Sequence, residues 1–172
     1  MSKFKFLICL SIAMLFMLPN CSALIPKSEI TLAGLFIKDD MAKVKRMYGE
    51  PRETLVGNTL SGGGRLCTHY YGNGSLIITT VEYNNGKEEV ITVTTTENNG
   101  IATNSGIVVG MSKDQLIAVY GQPDHTEKVY KGDGIIYTYG DYKPKRGSIT
   151  PSLDFRLVNN KIVDISINSY ID

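Results

Sequence analysis

The 172-residue sequence predicts an α+β fold, in which a short helix followed by a three- to four-stranded antiparallel sheet occurs twice in tandem, the helices on one face. Three observations carry this. Gly106 to Pro123, GIVVGMSKDQLIAVYGQP, has a degenerate earlier copy at Gly34 to Pro51, GLFIKDDMAKVKRMYGEP, and Gly106, Tyr120, Gly121 and Pro123 follow Gly34, Tyr48, Gly49 and Pro51 by 72 residues each. Each copy is followed by runs rich in Val, Ile, Thr and Tyr, broken by Gly and Asn, the composition of strands joined by turns. A period of 72 residues exceeds the ~20 to 50 of solenoid repeats, so two small units fit better than an array.

Residues 1–23 read as a signal peptide: Lys3 and Lys5, an apolar run from Phe6 to Leu18, and a small-residue site ending at Ala23. That run, about 13 residues, is too short for a bilayer-spanning helix. Cys21 offers lipidation as an alternative end to the leader, although Pro19 and Asn20 stand where a lipidation site takes small residues. The units then span 24–98 and 99–172. Loss of the leader removes Lys3 and Lys5 and no acid, so the formal charge passes from +1 to −1. So balanced a chain has no electrostatic claim on nucleic acid, and its only route to a membrane is a lipid on Cys21. Cys67 would remain alone, leaving stability to packing.

In the second helix Ser112 is the N-cap and Gln115 can close a capping box. Leu116, Val119 and Tyr120 form the apolar stripe, Gly121 the left-handed stop, and Pro123 blocks continuation. In the first helix Asp40 caps, Val44, Met47 and Tyr48 form the stripe, and Lys43 stands where the box needs Gln or Glu. Strands are expected at 52–56, 66–71, 76–83 and 89–95 of the first unit, then at 126–130, 135–139, 153–157 and 163–167 of the second. The Asn-Asn turns stand 75 rather than 72 residues apart, so a bulge or a longer hairpin loop is expected in the first unit.

The helix motif, with Gly106, Gly110, Met111, Ser112, Leu116, Tyr120, Gly121 and Pro123, and with Gly34, Val44, Tyr48, Gly49 and Pro51 in the first copy, resembles the β-lactamase-inhibitor-protein-like fold. That group includes tandem-repeat inhibitors and single-repeat outer-membrane-assembly lipoproteins of the SmpA/OmlA kind. The resemblance implies a non-catalytic module that binds another protein. The chain departs from the group in having no Trp, no cysteine pair and no good lipidation site.

No residue cluster calls for a reaction or a cofactor. Cys67 and His69 share one side of a strand, a spacing that would start a metal site or an enzyme but lacks its remaining groups. The three glycines 62–64 precede neither a Lys-Ser/Thr pair nor a helix, so they do not form a phosphate loop. Ten tyrosines without a Trp favour contact surface, and the binding residues expected are Tyr70, Tyr137, Tyr139 and Tyr142, with Lys143, Lys145 and Arg146 of the one basic loop. The expected protein is a monomeric, secreted or periplasmic module for an extracytoplasmic protein partner, with a structural envelope or assembly role as the alternative.

Overall fold

The computed structural model describes residues 25–140 and 150–170, without the side chain of Tyr170. The leader, Cys21, Tyr142, Lys143, Lys145 and Arg146 lie outside the described residues. A 3-10 turn at Lys27–Glu29 precedes helix α1 (Met41–Tyr48) and strands β1 (Glu53–Thr59), β2 (Arg65–Tyr71), β3 (Leu76–Glu82) and β4 (Glu88–Thr95). Helix α2 (Lys113–Tyr120) then leads into β5 (His125–Lys128), β6 (Ile135–Gly140), β7 (Thr150–Val158) and β8 (Lys161–Tyr170). All eight strands form one antiparallel sheet in the order β1-β2-β3-β4-β8-β7-β6-β5.

The caps follow the sequence logic. Asp40 Oδ1 accepts from the Ala42 N–H at 2.7 Å. Ser112 Oγ accepts from the Gln115 N–H at 3.2 Å while Gln115 Oε1 accepts from the Ser112 N–H at 2.9 Å, closing the box. In α1, where Lys43 replaces the box residue, its ammonium pairs with Asp39 at 2.6 Å instead. Both helices stop on a glycine whose φ, 79° at Gly49 and 77° at Gly121, is accessible without strain only in the absence of a Cβ.

The core lies between one face of the sheet and the helices. Read across the strands, one buried row runs Tyr71, Leu76, Thr95, Ile165, Phe155, Tyr137, and the next runs His69, Ile78, Val93, Ile167, Leu153, Tyr139. Tyr48 packs its ring on Tyr71 at 6.0 Å, and Tyr120 packs on Tyr139 at 5.4 Å and Phe155 at 5.7 Å, so both helices cover this face. Met41, Val44 and Leu116 supply the buried helix positions. The apolar stripe is narrower than the sequence pattern implies: Met47 and Val119 are each 46% exposed. On helices of eight residues, the positions one turn apart at Val44/Tyr48 and Leu116/Tyr120 are enough to meet the sheet.

Register shifts occur in both halves. Thr79 pairs with Thr92 and Thr80 with Val90, leaving Ile91 over, while Arg156 pairs with Asp164 and Leu157 with Ile162, leaving Val163 over. A shift was expected in the first unit alone. The β7–β8 hairpin needs one as well, because the tight turn at Asn159 and Asn160, with φ of 50° and 61°, sets Ile162 opposite Leu157, and an unshifted register from there would turn Ile165 and Ile167 away from the core.

Candidate binding face

The opposite face of the sheet carries neither α1 nor α2. Its central row runs Glu53, Tyr70, Ile77, Thr94, Ser166, Asp154, Thr138, His125 across all eight strands, and beside it run Leu55, Thr68, Thr79, Thr92, Asn168, Ser152. The composition follows from strand alternation: each residue stands between two core positions and points the other way. Hydroxyl and amide side chains dominate, with Leu55, Tyr70 and Ile77 as apolar contact points. Such a surface offers many short donors and acceptors whose ordering costs little side-chain entropy.

The two ends of this face differ. From Tyr70 to Asn168 it is half-exposed, whereas Thr138, Ser152 and Asp154 are buried. Asp154 Oδ2 accepts from Asn168 Nδ2 at 2.7 Å and from Ser152 Oγ at 3.3 Å. Its other oxygen, also buried, has no hydrogen-bond partner among the described residues. Burial pushes the Asp154 carboxyl above the usual range, against the opposing pull of the Asn168, Thr138 and Ser152 hydrogen bonds.

Of the tyrosines expected to bind, Tyr70 is on this face and half-exposed. Tyr137 and Tyr139 are not. Both sit in the covered rows, at 8% and 1% exposure, and the Tyr139 hydroxyl donates to the Gly121 carbonyl at 2.9 Å. Tyr137 stands under the start of α2, where the Lys113 ammonium lies 5.6 Å from its ring centre. The odd-numbered positions of β6 from Ile135 to Tyr139 pair with the odd-numbered Leu157, Phe155 and Leu153, and that parity puts both tyrosines under the helix. Among the described tyrosines it is Tyr130, in the turn after β5, that is most open, at 85%.

Cys67 and His69 do share one side of β2, but not as a reactive pair. His69 Nδ1 meets Thr54 Oγ1 at 3.0 Å, and Nε2 meets Glu88 Oε1 at 2.8 Å and Thr80 Oγ1 at 3.1 Å. The imidazole thus ties β1, β2, β3 and β4 together. The Cys67 thiol points to Glu82 at 3.7 Å, and burial, with the Glu88 and Glu82 carboxylates adding to it, raises its pKa. A thiol so placed is held neutral, the opposite of what a nucleophile or metal ligand requires. Arg65 completes the group by pairing with Glu82 at 2.7 Å. The sequence spacing gives Cys67 and His69 without showing that Thr80 and Glu82, one strand on, and Glu88, two strands on, absorb their polar atoms. His125 is the first residue of β5 and half-buried.

No protein-family model matches the chain, and no curated protein matches it. Two solved structures are similar to it. A DUF4309 family protein (YjgB) from Bacillus subtilis is 14% identical with a TM-score of 0.45, over 88% of this chain and 90% of that one. A protein described as a candidate beta-lactamase inhibitor from Streptococcus mutans is 13% identical with a TM-score of 0.29, over 75% of this chain and 82% of that one. Both scores lie below the level at which a shared fold or function follows.

Proposed function

We propose that the chain is a non-catalytic protein-binding module, exported to the cell envelope or beyond it, built as a tandem repeat that presents its helix-free sheet face to a protein partner. The observation that carries this is the continuity of that face: the rows through Tyr70 and Thr79 pass from one half into the other without interruption at the β4–β8 join. A continuous, twisted sheet face of short polar side chains with a few apolar anchors is a contact surface rather than a pocket. The arrangement of Cys67 and His69 in an internally bonded cluster argues against the enzyme or metal alternative.

The repeat reading is supported by correspondences between the halves. Tyr71, Leu76 and Thr95 pair across β2, β3 and β4 as Tyr139, Leu153 and Ile167 pair across β6, β7 and β8. The unpaired residues of the two register shifts, Ile91 and Val163, stand 72 residues apart, the same spacing as the helices. Tyr48 and Tyr120 each send their hydroxyl back to the segment before the helix, to Ala33 O at 2.7 Å and Thr103 Oγ1 at 2.9 Å. Such matches fit a two-fold axis perpendicular to the sheet between β4 and β8. They also accord with the resemblance of the helix motif to β-lactamase-inhibitor-like and SmpA/OmlA-like proteins, and an assembly role in the envelope remains the second reading within the same class.

The test is site-directed photo-crosslinking in the native host. A photoreactive residue at Thr79, Thr92 or Asn168 is expected to capture one protein, and the same residue at Lys45 or Asp114 on the helices is expected to capture none. Capture from the helix positions alone would overturn the proposal.

A further inference from the structure

The two edges of the sheet are built differently. Strand β5 closes one edge with four residues, two of them Glu127 and Lys128, so it is short and charged, as edges that avoid pairing are. The other edge, β1, is seven residues long, every one exposed, with Glu53 as its only charge and neither Pro nor Lys within it. Leu55 and Val56, on opposite faces of this strand, are 50% and 57% exposed. Strand β1 is nonetheless firmly placed. Glu53 to Val56 pair in unbroken register with Tyr70 to Cys67, the Arg52 N–H donates to Tyr70 O at 2.9 Å, and Thr54 Oγ1 bonds His69. Its outward N–H and C=O groups therefore form a fixed template open on one side. A register irregularity between Val56 and Thr59 limits the regular part to four residues.

We propose that β1 pairs antiparallel with β1 of a second copy of this chain. The fold already contains such a join: β4 and β8 meet edge to edge over four pairs, Thr92/Asn168 to Thr95/Ile165, and hold two four-stranded halves in one sheet. The regular part of β1 is four residues, of which Thr54 to Val56 meet regular residues of the copy in a pairing centred on Leu55. A two-fold axis perpendicular to the sheet keeps each face on its own side, so residues of like parity oppose each other. Centred on Leu55, the pairing sets Leu55 against Leu55, Thr54 against Val56, Glu53 against Gly57, and Arg52 against Asn58. No like charges meet, and the two most exposed apolar side chains of the strand are covered. The product is a sixteen-stranded sheet with both helix layers on one side and both helix-free faces on the other. An interface of one short strand is small, so the dimer forms and dissociates with concentration.

Sedimentation velocity on the full chain over a hundredfold range of concentration tests this. Concentration-dependent dimer is expected, and Leu55→Lys, which sets two ammonium groups face to face, is expected to weaken it at least tenfold with the circular dichroism spectrum and melting temperature retained. Leu55→Cys is expected to form an intermolecular disulfide much faster than Tyr130→Cys under mild oxidation, because only residue 55 meets its own copy on the axis. A chain that stays monomeric throughout, association that persists in Leu55→Lys, or equal crosslinking at 55 and 130 would each overturn the proposal.

Discussion

Removing a tyrosine hydroxyl from the core is expected to have opposite effects in the two halves, although the chemical change is the same. Tyr71 and Tyr139 each pack under the C-terminal tyrosine of a helix, at 6.0 Å and 5.4 Å between ring centres. Tyr139 donates to the Gly121 carbonyl at 2.9 Å, the last orphan acceptor of α2. The Tyr71 hydroxyl is buried without a partner among the described residues, and burial lifts its pKa to about 12. Tyr139→Phe removes one net hydrogen bond to a part-buried carbonyl, a loss of about 1–1.5 kcal/mol. Tyr71→Phe removes an unsatisfied buried donor, for a change between zero and a gain of ~1 kcal/mol. The gap of about 2 kcal/mol corresponds to roughly 4–8 °C in melting temperature for a chain of this size. Urea unfolding followed by circular dichroism measures it, since the chain has no Trp for fluorescence. A Tyr71→Phe variant as destabilised as Tyr139→Phe would refute the assignment of the two hydroxyls.

Other consequences are as direct. Because burial raises the Asp154 pKa above its unfolded value, the folded state holds that proton more tightly. The associated stability is complete below about pH 3.9 and is lost as pH rises through the raised value, so unfolding free energies of wild type and Asp154→Asn should diverge across that window and run parallel above it. A constant difference at every pH would contradict this. The Cys67 thiol, 3% exposed and raised in pKa, should react with iodoacetamide far more slowly than a free thiol at pH 8 and accelerate in denaturant. Ser112→Ala should cost about 1 kcal/mol through loss of the α2 cap, measured by thermal unfolding, with the α1 half unaffected in local hydrogen exchange.

Much of this architecture is legible in the sequence because its signals are local. Ser112 with Gln115, Asp40, and the glycines at 49 and 121 each fix one backbone event by their own chemistry, and the structure has them in those roles. Most of the strands likewise follow from runs rich in Val, Ile, Thr and Tyr between turns, whereas β5, His125–Lys128, has only Thr126 of these. Pairing partners are another matter. That β4 joins β8, and that β6 presents Tyr137 and Tyr139 to α2, depend on register, and a shift of one residue reverses every side chain. The same nonlocality hid the His69 cluster, whose Thr54, Thr80 and Glu88 come from three other strands.

The most direct test of the helix-free face as the binding surface is the affinity of Thr68→Lys/Thr92→Lys for the crosslinked partner. Two ammonium groups in the row beside Tyr70 and Ile77 are expected to weaken binding at least tenfold while the melting temperature stays within about 2 °C of wild type, as for surface substitutions. Undiminished affinity in that folded variant would contradict the account.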